Sequence, residues 1–269
     1  MYTWLIEQRN ADSDYSNLAS VLTERGGIIK TFPGIFAFNK HDQLTEDPFV
    51  FQGTISAALM LKNHPKCIIP FTPSNYSCTA YYPHLYPYLL NHDYRLFQMS
   101  QITRGDADHY LSELNGEVFV RPVTGLKTFS GQVLDQDELR DLNQRSTSTD
   151  PTDLILLAPT HTILREWRLL YRILINDGKY TVKFITGSQY QDHGKHVEEE
   201  TLADDPAVVW ATRALNNAQF FPDPLFYVDI VETDKLGLAV NEFSAFMCGG
   251  LYRCNPALVI DEINSIDWM

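Results

Sequence analysis

The stretch VFVRPVTGLKTFSG, residues 118–131, begins as an apolar run and ends in a glycine-flanked polar loop. The run predicts a strand over 117–122 that ends on Arg121 and Pro122, and Gln132–Leu134 predicts a returning strand. Between them lie Thr124, Gly125, Lys127, Thr128, Ser130 and Gly131. Glycine lets a backbone approach anionic oxygens closely, while N–H groups, hydroxyls and a lysine supply donors. The spacing matches neither the Walker pattern nor the dinucleotide fingerprint. A simple hairpin with a polar tip is the plain alternative, and local spacing leaves both open.

Downstream, REWR (165–168) opens a second strand that runs through Leu169, Leu170, Tyr171 and Ile173 to an Asp177-Gly178 hairpin turn. Glu166 and Arg168 are two apart and share a strand face. They could form an ordinary solvated ion pair, or Arg168 could grip a phosphate through its planar fork. Further on, YVDIVE (227–232) and GLAVNE (237–242) are successive apolar strands carrying Asp229 and Glu242. A carboxylate in an apolar strand is costly unless paired. Facing carboxylates on adjacent strands are one way to hold magnesium, and two partly exposed acids are the bland reading.

Outward from this centre, Thr3–Ile6, Ser16–Arg25 and Ile28–Ile29 read as strand, helix and strand, with Gly26-Gly27 as the stop. Phe49–Leu61 reads as a strand leading through Gly53 into a helix, and Lys66–Phe71 as a short edge strand between prolines. The tyrosine-rich segment Asn75–Asn91 predicts packing against a neighbouring lobe rather than a base-stacking platform. A helix is expected over Asp106–Asn115, strands over Leu154–Ala158, Tyr180–Ile185, Leu225–Val231 and Leu238–Phe243, and a helix over Pro206–Asn217 behind Asp204 and Asp205. Gln144–Asp153 and Gln191–Thr201 read as polar loops. His193 and His196 in the latter suggest zinc only weakly, since no carboxylate partner stands at a fixed spacing.

Taken in order, these motifs resemble the ATP-grasp superfamily, and more narrowly its clade named for two arginines and one lysine, common in phages and bacteria. The resemblance is carried by residues 118–135, 165–180, GSQY (187–190), YVDIVE (227–232) and VNEFSAFMCGGLYRCN (240–255), with FQGTISAA (51–58) and YLLNHDYRL (88–96) before them. It implies a mixed α/β (α+β) ATP-grasp fold with a lobe over 1–100 and the ATP-grasp domain over 101–269. It implies that Arg121 and Lys127 contact ATP phosphates beside Thr128 and Ser130. Leu154–Ala158, including Leu156, Leu157 and Ala158, would be the hinge whose backbone reads adenine, with Glu166 also in the nucleotide site. Arg168 would meet the transferred phosphoryl group, and Asp229 and Glu242 would hold Mg2+. The chain departs from the family at Ser244, where asparagine is usual; a serine hydroxyl can still ligate magnesium weakly, or a water can fill the position.

The implied activity is an ATP- and magnesium-dependent carboxylate–amine ligase acting on a small molecule, peptide or protein. A nucleotide-binding module with little catalysis, and an ATP-dependent modifier of a protein or nucleic-acid end, are the competing expectations. A net charge of −13 weighs against a broad nucleic-acid surface. The absence of a signal-like or membrane-length apolar run, with four well-spaced cysteines, points to a cytoplasmic protein.

Overall fold

In the computed structural model, residues 1–7, 15–32, 44–114, 116–142, 150–266 and 268 are described. The chain starts as the apolar runs dictate. Strand β1 (Thr3–Glu7), helix α1 (Ser16–Glu24), strand β2 (Ile29–Phe32), strand β3 (Phe49–Gln52) and helix α2 (Ile55–Leu61) follow in turn. The strands form a parallel sheet in the order β2-β1-β3, and Thr54 caps α2 by accepting from the Ala57 N–H at 3.3 Å. The expected strand over Lys66–Phe71 is only a bridge between Cys67 and Phe49, because Pro65 and Pro70 remove ladder donors on either side. Helix α3 (Cys78–Leu85) then carries tyrosines across to the neighbouring lobe, where Tyr81 packs on Phe243 with ring centres 5.1 Å apart.

A small antiparallel sheet comes next. Its elements are β4 (Arg95–Gln98), α4 (Met99–Thr103), α5 (Asp108–Glu113), β5 (Glu117–Pro122), β6 (Gln132–Asp135), α6 (Gln136–Arg140) and β7 (Leu154–Ala158), with strand order β4-β7-β5-β6. A separate core of Met99, Ile102, Val118, Val120, Leu134, Ile155 and Leu157 holds this lobe together. The boundary expected at residue 100 thus falls within α4. The loop read over Gln144–Asp153 lies outside the described residues as far as residue 149.

The third layer is a five-stranded antiparallel sheet. It consists of β8 (Ile163–Asn176), β9 (Lys179–Asp192), β10 (Lys195–Thr201), helix α7 (Pro206–Ala218), β11 (Leu225–Thr233) and β12 (Gly237–Ala245), in the order β10-β9-β8-β11-β12. Asp177 (φ 50°) and Gly178 (φ 74°) make the expected primed turn. The polar loop expected over Gln191–Thr201 is instead a second hairpin, turned at His193 (φ 45°) and Gly194 (φ 76°). Its outer strand has a solvated edge, so no apolar alternation announces it. Asp205 caps α7 by accepting from the Ala207 N–H at 2.7 Å. The last helix, α8 (Pro256–Asn264), returns to pack on α1 and β9. One continuous core, from Trp4 and Phe49 through Tyr81 to Tyr171 and Phe226, joins the N-terminal lobe to this large sheet. Among the described residues no helix is long and apolar enough to cross a membrane.

Candidate active site

The small lobe faces the large sheet across a cavity of about 400 Å³. Its small-lobe wall includes Arg121, Lys127, Ser130 and Gly131, and its large-sheet wall includes Glu166, Asn241 and Glu242. Lys127 also borders a second hollow of about 60 Å³, lined by Arg168, Ser244, Tyr76 and Phe71, among others. The lysine is therefore the partition between a large and a small compartment. Its backbone is left-handed (φ 50°), a conformation that a non-glycine residue holds only where its surroundings enforce it.

Strand register places the charged residues. Arg168 on β8 pairs with Asp229 on β11, and Asp229 pairs with Glu242 on β12, so the three form one rung across the sheet. The bulge after Asp229 leaves Asn241 as the extra residue and brings Glu242 level with Asp229. Arg168 donates to both Asp229 oxygens, from Nε at 2.9 Å and Nη2 at 2.7 Å. Glu242 accepts from Arg121 Nη2 at 2.8 Å and from Lys127 Nζ at 2.8 Å. Burial alone would raise the Glu242 carboxyl, but the two cations override it and hold it at about 2. The three cations from separate segments and the two carboxylates therefore meet at one place, each charge answered by its opposite.

Ser244, two residues on from Glu242, occupies the same strand face. Its Oγ is buried without a hydrogen-bond partner among the described residues. Such an orphan is the kind of oxygen that a divalent cation satisfies, and two carboxylates plus a hydroxyl suit a hard, oxygen-seeking ion. No group of three His, Cys, Asp or Glu placed to hold a metal occurs among the described residues. His193 lies in the β9–β10 turn and His196 on β10.

None of the residues Leu154–Ala158, expected as the hinge, borders the cavity. Leu156, Leu157 and Ala158 are fully buried and paired into the small sheet against Arg121, Val120 and Phe119. The residues that reach the cavity are Pro159, Thr160 and His161 just beyond. Thr128 does not border the cavity, whereas its neighbours Lys127 and Ser130 do. Sequence reasoning also missed Tyr76, Asp223 and Asn241. Tyr76 donates to Asp223 Oδ2 at 2.8 Å, which fixes the wall of the small hollow, and burial raises Asp223 to about 6. The density of tyrosines around residue 81 was the only available signal for that wall.

Gly125 shows how tightly the loop is docked. A Cβ there would lie 2.6 Å from the Tyr76 Cβ and 2.9 Å from its carbonyl oxygen. Gly125→Ala is expected to cost about 1–3 kcal/mol in chemical denaturation, since the obstructing atoms include backbone.

Glu166 lines the large cavity, and burial raises its carboxyl to about 7 against the opposing hydrogen bonds from Tyr190 and Asn241. The folded protein therefore keeps a proton between pH 4.5 and 7 that the unfolded chain has lost. That contribution is greatest at or below the ordinary carboxylate range and falls away as pH rises through about 7. Relative to Glu166→Gln, the unliganded wild type should lose roughly 2 kcal/mol between about pH 4.5 and 7.5 in denaturation midpoints.

Comparison with known proteins fits this architecture. Residues 97–261 match the model of an ATP-grasp domain family, the second family of the clade named for two arginines and one lysine, and the chain belongs to it. The class that family and fold define is the ATP-grasp carbon–nitrogen ligases, which couple ATP to carboxylate–amine ligation. D-cycloserine synthetase DcsG superposes with a TM-score of 0.65 at 13% identity, covering 98% of this chain and 100% of that one. D-alanyl-alanine synthetase A from Vibrio cholerae gives 0.60 at 11% identity, covering 98% of each chain. N5-carboxyaminoimidazole synthetase from Staphylococcus aureus gives 0.56 at 12% identity, covering 90% of this chain and 69% of that one. At these identities the likeness is one of fold. No curated protein matches the chain by sequence.

Proposed function

We propose that the two compartments divide the reaction, ATP lying in the large cavity and the carboxylate and amine meeting in the small hollow beyond Lys127. The observation that carries this is the convergence of Arg121, Lys127 and Arg168 on Asp229 and Glu242 where the compartments touch. In this reading residues 1–100 form the lobe that closes the small hollow, and residues 101–269 form the ATP-grasp domain. Arg121 and Lys127 hold the phosphates, with the Ser130 hydroxyl and N–H groups of the Phe129–Gly131 segment as further donors. Glu166 and the backbone beyond Ala158 receive the nucleoside.

The substrate carboxylate oxygen attacks the γ-phosphorus and ADP leaves, giving an acyl phosphate. The amine nitrogen then attacks the acyl carbon, inorganic phosphate departs, and the amine loses a proton. Arg168, which lines the small hollow, would face the oxygens on which negative charge spreads during both steps. Asp229, Glu242 and Ser244 are the residues that would hold Mg2+. That ion, when bound, neutralises charge on the phosphates. The hollow of about 60 Å³ favours a compact carboxylate such as an amino acid over a bulky one. The unpaired thiols of Cys67, Cys78, Cys248 and Cys254 agree with work in the reducing cytoplasm.

The test is phosphate release from ATP and Mg2+ against a panel of amino acids, alone and in pairs. Release that rises only with a carboxylate and an amine present supports the ligase. Calorimetric binding of ATP with no release across the panel would favour the reading in which the chain binds nucleotide without turning it over, which the serine at position 244 makes worth testing.

A further inference from the structure

Arg168 is held on more sides than an ion pair requires. Besides the two bonds to Asp229, its Nη1 donates to the Gly250 carbonyl at 3.4 Å. Its guanidinium carbon lies 4.8 Å from the centre of the Tyr252 ring and 5.7 Å from that of Tyr227. Tyr252 has a left-handed backbone (φ 47°), which a bulky L residue adopts only under constraint. The constraint is visible on both flanks. The Arg253 N–H donates to Ser188 Oγ at 3.3 Å, the Asn255 N–H donates to Thr186 Oγ1 at 2.8 Å, and the Gly249 N–H donates to the Ala245 carbonyl at 2.8 Å. The Tyr252 ring also stacks on Tyr190, with centres 5.0 Å apart and planes 12° from parallel.

We infer that Tyr252 is a positioning residue for Arg168, its ring face fixing the guanidinium plane toward the junction of the two compartments. This rests on the role proposed above for Arg168. The physical reason lies in what each support does to the charge. A carboxylate orients a guanidinium but also neutralises it, and Asp229 is one of the oxygens offered to a cation. An aromatic face orients the same group through its quadrupole and leaves the positive charge available to a phosphoryl oxygen. A strained aromatic residue anchored on both sides supplies such a face without a competing anion.

The test compares Tyr252→Phe, which keeps the ring, with Tyr252→Leu, which keeps bulk without a π face. Tyr252→Gly suits the left-handed backbone and serves should the leucine variant fold poorly. The first readout is solvent exchange of the Arg168 Nε–H in 15N-labelled protein, both ligand-free and with Mg2+ and AMPPNP. The second is kcat against KM for ATP in phosphate release. Exchange should rise about tenfold in the leucine and glycine variants and stay at the wild-type rate in phenylalanine, the scale of one desolvated cation–π contact. Where the amino-acid panel supports turnover, kcat should fall by a similar factor with KM for ATP unchanged. Wild-type exchange in the leucine and glycine variants, or a phenylalanine variant as fast as leucine, would overturn the inference. Failure of the wild type to bind Mg2+ and AMPPNP, or full turnover by Arg168→Ala, would instead remove the role of Arg168 itself.

Discussion

Arg168→Ala is expected to lower turnover about a thousandfold while changing ATP affinity by less than about threefold, the pattern of a group that acts mainly on the transition state. The same change should destabilise the free protein. Arg168 and Asp229 are 6% and 2% exposed and share two hydrogen bonds. Deleting the guanidinium leaves a carboxylate buried and alone, which costs about 3–5 kcal/mol. An apolar pair of similar volume, Arg168→Met with Asp229→Leu, should recover most of that stability and none of the turnover. Urea denaturation, calorimetry with ATP and phosphate release together decide the matter. Wild-type turnover in the alanine variant would remove Arg168 from the chemistry, and equal stability of the single and double variants would remove the buried-pair argument.

Glu242→Gln should act in two opposite directions. In the free protein Glu242 answers both Arg121, which is 7% exposed, and Lys127. Its neutral replacement leaves a buried guanidinium without an anion, at a cost again of about 3–5 kcal/mol. The freed cations should then bind a polyanion better in the absence of metal. Tripolyphosphate without Mg2+ is expected to bind the variant about tenfold more tightly than it binds the wild type, the scale of one removed charge contact at a partly screened site. The gain in ATP affinity that Mg2+ brings to the wild type should shrink or vanish. Calorimetry with and without Mg2+ checks both parts. A variant that binds tripolyphosphate more weakly than the wild type, or that keeps the full Mg2+ effect on ATP, contradicts this exchange of partners.

That exchange follows from the geometry of the site. Every cation proposed for phosphate is already on a carboxylate proposed for metal. A nucleotide and a divalent ion entering together replace these pairs without stranding a charge. Either ligand alone would leave one sign unanswered in a poorly hydrated place.

Much of this protein was legible before its structure. The Asp177-Gly178 turn, the Asp205 cap ahead of Pro206 and the βα opening unit are written in neighbouring residues, because turns and caps are closed by hydrogen bonds a few positions apart. The motif order from Arg121 to Glu242 likewise led to the ATP-grasp class, since each motif sits on its own strand or loop. The β9–β10 hairpin was missed because a polar edge strand carries no apolar period, and Lys66–Phe71 was overread because prolines break the ladder that its apolar character suggests.

By itself, then, the chain's sequence determined most of the strands, where most of the turns fall, and which charged residues those strands carry. Only the tertiary structure decided which charges meet. Glu242 finds Arg121 and Lys127 across 121 and 115 positions of sequence, and Asp229 finds Arg168 across 61. The reason is that a strand specifies the face of its own side chains, while register, a bulge at Asn241 and the closure of one lobe on another set what that face confronts.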